Sequence, residues 1–154
     1  MSRFLTVTDV RILRGQFREG RQLFKLLREV HYASDLLRTI VKVPRGYVTD
    51  FASVPRLPLT WLVAGGTGYE AAVVHDWLYT THAVDGKAIT RAQADDVFKE
   101  AIGASQDTNA PAGLMWLAVR AGGRGAWGDD GPEQAAEIAA HIEAQQAISA
   151  QAGG

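Results

Sequence analysis

Residues 70–82 read EAAVVHDWLYTTH, and the fold class is decided at this stretch. Before it, β-branched and alternating apolar residues recur with the short period of strands; from Tyr69 to Thr80 they recur at helical spacing, and helical patterns continue to the end of the chain. The stretch also sets an ionisable pair, His75 and Asp76, inside an apolar run, with Tyr79 four residues after the histidine. Burying such groups is costly unless they are partnered, so the pair is either a satisfied piece of core or a site.

Toward the N-terminus, FLTVTDVRIL (residues 4–13) and TIVKVPRGYVTDF (residues 39–51) alternate as strands do, the second turning at Pro44-Arg45-Gly46. QLFKLLREVHYAS (residues 22–34) reads as strand too, although RQLFKLLREV also has the spacing of a short helix. Toward the C-terminus, Val84-Asp85-Gly86-Lys87 is a turn. Thr90 opens a helix with Gln93 at the offset of a capping box. Pro111 opens a helix over GLMWLAVRA, which Gly122-Gly123 ends, and Pro132-Glu133 opens an alanine-rich helix. Strands followed by helices make the class α+β: a small N-terminal antiparallel β-sheet followed by a bundle of about four helices. Residues 1–127 are expected to form one domain. The Ala-rich helix and tail of residues 128–154 share Ile138 and Ile142 on one face and are too weakly amphipathic to stand alone, so they dock on the domain or on a partner.

Composition narrows the functional classes. The chain of 154 residues is 47% apolar and 21% charged, which is ordinary globular usage and large enough for one core. It has no cysteine, so disulfides and thiolate metal sites are excluded. Arg3, Asp9, Arg11, Arg14 and Arg18 leave no room for a signal peptide at the N-terminus, and no apolar run approaches the roughly 20 residues that span a bilayer. The net charge of −1 hides a division: residues 1–45 hold ten Lys/Arg against four Asp/Glu, and residues 46–154 hold six against thirteen. This split describes either a well-solvated surface or one basic and one acidic face, the second fitting an anionic partner or head-to-tail contact between copies. Phe4, Phe17, Phe24 and Tyr32 of the basic part sit at core-like positions and no nucleic-acid-binding module is present, so no nucleic-acid partner is expected.

Three elements carry candidate chemistry. On the first helix His75 lies along the apolar stripe, and Asp76 leaves it about 100° away. In TRAQADDVFKEAIG (residues 90–103), Asp95 lies three and seven residues before Phe98 and Ile102, on the buried face, whereas Asp96 aligns with Lys99 and Glu100 on a solvated one. A buried carboxylate needs a partner, and His75 is the best available; an aspartate accepting from one ring nitrogen leaves the other as a base. In GYVTDFASVPRLP (residues 46–58), Asp50 follows a strand and opens an irregular segment with Ser53 and Pro55. Carboxylates and free carbonyls there suit calcium, with Asp50 and Asp76 supplying two ligands. Each element has a plainer reading: Asp50 caps a turn, and His75 and Asp95 are a hydrogen-bonded core pair.

The motifs VPRGYVTDFASVPR, HDWLY and RAQADDVF resemble the signature of a phage- and prophage-associated family of unknown function, over roughly residues 5–127. The resemblance implies a tailed-phage or prophage origin. More distantly, Ala71, Ala72, His75, Asp76, Leu78 and Tyr79 stand at the spacing of the active-site helix of phospholipase A2, and Asp50-Phe51-Ala52-Ser53-Val54-Pro55 is similar to a segment of its bacterial and fungal members. That likeness implies a phospholipase A2-like helix pair, His75 as base, Asp95 as its partner, Asp50 and Asp76 as calcium ligands, and Ser53 and Tyr79 in support. Every cysteine of that pattern is Ala or Leu here, and the glycine-rich calcium loop is absent.

Two functions follow as expectations. One is a virion protein of the tail or neck, made in the host cytoplasm and partnered by other virion proteins or copies of itself. The other is a calcium-dependent hydrolase acting on membrane lipids or esters of the host envelope. A metal phosphohydrolase of the HD type would need a further histidine on a neighbouring helix, and His31 and His82 are poorly placed for it.

Overall fold

The structure, a computed structural model, describes residues 1–51, 69–105 and 112–128, together with Ala140, Ala144, Ala147, Ala150 and Gln151. Strands β1 (Arg3–Phe4), β2 (Val10–Arg18), β3 (Arg21–Leu26), β4 (Val30–Ser34), β5 (Thr39–Val43) and β6 (Val48–Thr49) precede the helices. They form two three-stranded antiparallel sheets, ordered β1-β4-β5 and β2-β3-β6, where the sequence suggested one.

The β2–β3 hairpin closes through Glu19-Gly20, both left-handed at φ 49° and 75°, the geometry whose twist matches the flanking strands. Its ladder slips between Ile12 and Phe17: Ile12 pairs with Phe24, but Phe17 pairs with Gln22. Gly15 turns left-handed within the slip, and the Gln22 amide donates to the carbonyls of Leu13 (2.6 Å) and Gln16 (3.1 Å), replacing lost ladder bonds. RQLFKLLREV is therefore strand, turn and strand start. Its spacing fits a helix equally well, and pairing of β3 with both β2 and β6 decides the matter. Phe17, expected at a core position, is 60% exposed because β2 runs beyond the core.

In the other sheet Val30, Tyr32 and Ser34 of β4 alternate inward, with Val41 and Val43 of β5 beside them. Helix α1 (Tyr69–Thr81) lies against this layer. It is buried almost all round, Ala71 to Asp76 without a break and then Leu78, Tyr79 and Thr81, because sheet residues cover one side and α2 the other. His82 follows it in the left-handed region and its N–H donates to Leu78 O. A small hairpin, β7 (Ala83–Val84) and β8 (Lys87–Ala88), turns at Asp85-Gly86 as the sequence predicts.

Helix α2 (Arg91–Ala104) starts with the expected capping box: Thr90 Oγ1 accepts from Gln93 N, and Gln93 Oε1 accepts from Thr90 N. Helix α3 (Ala112–Gly122) ends at the predicted glycines, and a single turn, α4 (Arg124–Trp127), follows. The fold is α+β, with antiparallel strands first and about four helices after. The helical alanines at the C-terminal end are exposed, and Pro111, Ile138 and Ile142 lie outside the described residues. No helix among the described residues is long and apolar enough to cross a membrane.

Two carboxylates of α2 read as solvated charge have fixed partners instead. Glu100 accepts from the Tyr32 hydroxyl (3.0 Å), Ser34 Oγ (2.7 Å) and the Leu36 N–H (3.0 Å), tying α2 to β4. Asp96 accepts from Trp116 Nε1 (2.8 Å) on α3.

Candidate functional site

His75 and Asp76 are consecutive on α1, so their side chains leave the helix in different directions and enter different surroundings. His75 meets α2. Its Nε2 lies 2.9 Å from Asp95 Oδ1, and both side chains are 0% exposed. Its ring packs between those of Tyr79 (centroids 4.3 Å) and Phe98 (4.7 Å). The partnership inferred from two ionisable groups on apolar faces is therefore present in the fold.

Asp95 has more donors than the sequence indicated. The Tyr79 hydroxyl donates to Oδ1 at 2.5 Å. On the other oxygen, Arg91 Nη1 lies at 3.5 Å and Arg120 Nη1 at 3.4 Å. Arg91 is one turn from Asp95 on the same helix, a spacing open to sequence inspection; Arg120 comes from α3, 25 residues away, and nothing local announces it. Asp95 thus joins α1, α2 and α3. Arg91 adds a bond to Arg120 O (3.1 Å), and Arg120 also lies over the Trp116 ring, as does Lys99.

Electrostatics follow from this packing. Burial lowers the basicity of His75 below its ordinary value, against the opposing pull of Asp95, so the imidazole is neutral near pH 7. Burial pushes the Asp95 carboxyl up, but hydrogen bonds from His75 and Tyr79 and the nearby cations more than offset it, and it stays an anion. Burial beside that anion raises the Tyr79 phenol, which remains a donor. A neutral His75 that donates from Nε2 has its unprotonated nitrogen at Nδ1.

Close approach fixes the far side of Tyr79. A Cβ on Gly123 would run into the Tyr79 hydroxyl and stand 2.6 Å from Val119 O. Trp127 packs edge-on to Tyr79 (5.0 Å) and stacks flat on His82 (3.8 Å, 5°), whose Nε2 lies 2.7 Å from Trp127 O. His31, on β4, has its Nε2 3.0 Å from Glu29. Neither histidine joins His75.

Asp76 faces the β6 side. Its Oδ2 accepts from the Thr49 hydroxyl and from Tyr47 OH (3.1 Å), which also contacts Thr80 Oγ1 (3.1 Å). Burial and then the Asp76 charge keep the Tyr47 phenol protonated. Asp50 follows Thr49 directly and is itself buried, with Arg18 Nη1 4.0 Å from Oδ1. The next residue, Phe51, is left-handed at φ 55°, a conformation that costs a bulky residue about 1–3 kcal/mol. Its N–H on Thr49 Oγ1 (3.0 Å) and its ring against Phe24 (5.1 Å) hold it there. Tyr47 and Thr49 were not foreseen, because their partner stands 27 to 29 residues further on.

Thr49 therefore ties the residue before Asp50 to Asp76, whereas calcium takes six to eight oxygens. One oxygen of Asp76 already accepts from two hydroxyls, and a guanidinium stands beside Asp50. Among the described residues no group of three or more His, Asp or Glu is arranged to hold a metal ion. Ser53 lies outside the described residues.

Neither a curated protein nor a solved structure matches the chain. A family model does match, over residues 24–119, from β3 through Asp50, His75, Asp76 and Asp95 into α3. On that match, the chain belongs to the family described as a protein of unknown function (DUF1353).

Proposed function

We propose that the chain is a structural component of a phage particle, at the tail or neck, in which the His75–Asp95 cluster ties helices together. The observation that carries this reading is the closure of the cluster: Asp95 takes donors from three helices while it and His75 are 0% exposed. A general base has to reach the proton that it removes, directly or through one water. A neutral histidine locked between two aromatic rings suits a core tie better. The particle setting is supported by the motif resemblance in VPRGYVTDFASVPR, HDWLY and RAQADDVF. Deleting the gene from a phage genome and complementing it with the wild type or with His75→Gln tests the reading. Particle assembly should fail without the chain and return with either version. Normal particles in the deletion strain would end the proposal.

A second reading, a calcium-dependent hydrolase of lipid or ester bonds in the host envelope, is favoured by the tautomer that Asp95 imposes. With Nε2 donating to the carboxylate, Nδ1 is the nitrogen that can take a proton, the arrangement a catalytic dyad needs. Calcium, when bound, would supply charge stabilisation, with Asp50 and Asp76 as its carboxylates. Calorimetry with calcium on the wild type and Asp76→Asn decides whether this reading survives. Binding lost in the variant supports it and justifies a lipid assay with His75→Ala as control; no heat from two folded proteins rejects it.

A further inference from the structure

We propose that the β2–β3 hairpin docks on the acidic C-terminal segment of a second copy, joining copies head to tail. The inference rests on the assembly reading and names its contact.

Strand β2 lies at the edge of its sheet among the described residues, and seven of its nine residues are exposed. Two of them are large and apolar: Ile12 at 52% and Phe17 at 60%. A long edge with unpaired backbone groups and apolar side chains is a template for another chain, unless something covers it. Arg11, Arg14 and Arg18 are exposed along the same strand. Arg18 reaches toward Asp50, whereas no carboxylate among the described residues forms an ion pair with Arg11 or Arg14.

Charge selects the occupant. Pairing β2 with β2 of a second copy would bring arginines against arginines, which destabilises a strand pair. The acceptable partner is acidic and carries apolar residues. Residues 125–154 of this chain hold Asp129, Asp130, Glu133, Glu137 and Glu143 with no Lys or Arg, and Ile138 and Ile142 stand among them. Hairpin and acidic segment are different parts of the chain, so a contact between copies through them is heterologous and extends into a ring or a filament.

Sedimentation velocity of the full chain, in low and high salt, tests this. The wild type should associate with rising concentration, and salt should weaken the association. Arg11→Glu with Arg14→Glu, and separately Glu133→Lys with Glu137→Lys, should each weaken it by about tenfold or more. Mixing the two variants restores opposite charges across the contact and should bring association back to within about threefold of wild type. Arg11 and Arg14 are exposed, and circular dichroism melts check that both variants fold. A wild type that stays monomeric, variants that associate unchanged, or a mixture that fails to recover would each overturn the proposal. So would a monomeric wild type that binds phosphatidylglycerol vesicles through Arg11 and Arg14, which would give the hairpin to a lipid surface. A chain present in purified particles yet monomeric alone overturns only the head-to-tail contact; failure of the deletion test overturns the assembly reading itself.

Discussion

His75 Nε2 and Asp95 Oδ1 stand 2.9 Å apart with neither side chain exposed, so a neutral imidazole and a carboxylate anion share one hydrogen bond inside the helical layer. The anion is tolerated there because Arg91 and Arg120 flank its other oxygen. Removing either sign of charge would leave the other uncompensated.

Asp95→Ala should therefore destabilise the fold by about 3–5 kcal/mol, the range for breaking a buried pair from one side. Asp95→Asn keeps the shape but offers the arginines no charge, and should cost less. Urea unfolding followed by circular dichroism measures both, and an Ala variant within 1 kcal/mol of wild type, roughly the scale of a single exposed ion pair, would contradict the buried tie.

Acid should weaken the protein in two stages. The folded state holds His75 below its ordinary value of 6.5, so as pH falls through that value the unfolded chain gains a proton that the folded one refuses. Stability is full above this point and declines below it, with a slope of at most about 1.4 kcal/mol per pH unit from one group, until the folded value is reached. Asp95, also held below its ordinary 3.8, adds a second loss as pH drops further. Melting curves from pH 8 to 3 should show both stages, and His75→Gln should remove the first.

Gly123→Ala should cost about 1–3 kcal/mol, the range for overpacking, since the new methyl meets the Tyr79 hydroxyl and the Val119 carbonyl. Tyr79→Phe removes one of those obstacles. In a double-mutant cycle the pair should be less destabilising than the sum of the singles, with coupling of about 0.5–3 kcal/mol. Additive effects would mean that the hydroxyl is not the obstruction.

Glu100→Gln should lose about 1–3 kcal/mol, because one amide oxygen cannot serve the Tyr32, Ser34 and Leu36 donors together. Thermal unfolding would record it, and hydrogen exchange at the Leu36 amide should accelerate. A protected Leu36 amide in the variant would show that another acceptor holds it.

Local chemistry was readable from the sequence, and contact over distance was not. The capping box of Thr90 and Gln93 and the turn at Asp85-Gly86 depend on neighbours within four residues, and both are where the pattern put them. His75 and Asp95 could be paired on paper because each is an ionisable residue on an apolar helical face, and burial forces such groups together. Arg120, Tyr47 and Thr49 could not be assigned, since surface-like residue types give no sign of the buried carboxylate they will meet. RQLFKLLREV stayed ambiguous for the same reason: its strand character comes from two partner strands, not from its own spacing.

The slip in the β2–β3 ladder has a further effect. Residues directly opposite in a pair share a face. Ile12 stands opposite Phe24, and Phe17 opposite Gln22; Phe24 and Gln22 are two apart and so lie on one side. Ile12 and Phe17 are an odd number of residues apart, which in an unbroken strand would send them to opposite sides. The slip adds three residues to β2 and reverses that parity, so Val10, Ile12 and Phe17 fall on one side of the hairpin while Arg11 and Arg18, opposite Lys25 and Arg21, fall on the other. The hairpin is thereby two-sided, one flank oily and one cationic. In an unbroken strand Phe17 would share a side with Arg11 and Arg18 a side with Ile12, so without the slip neither flank would keep one character.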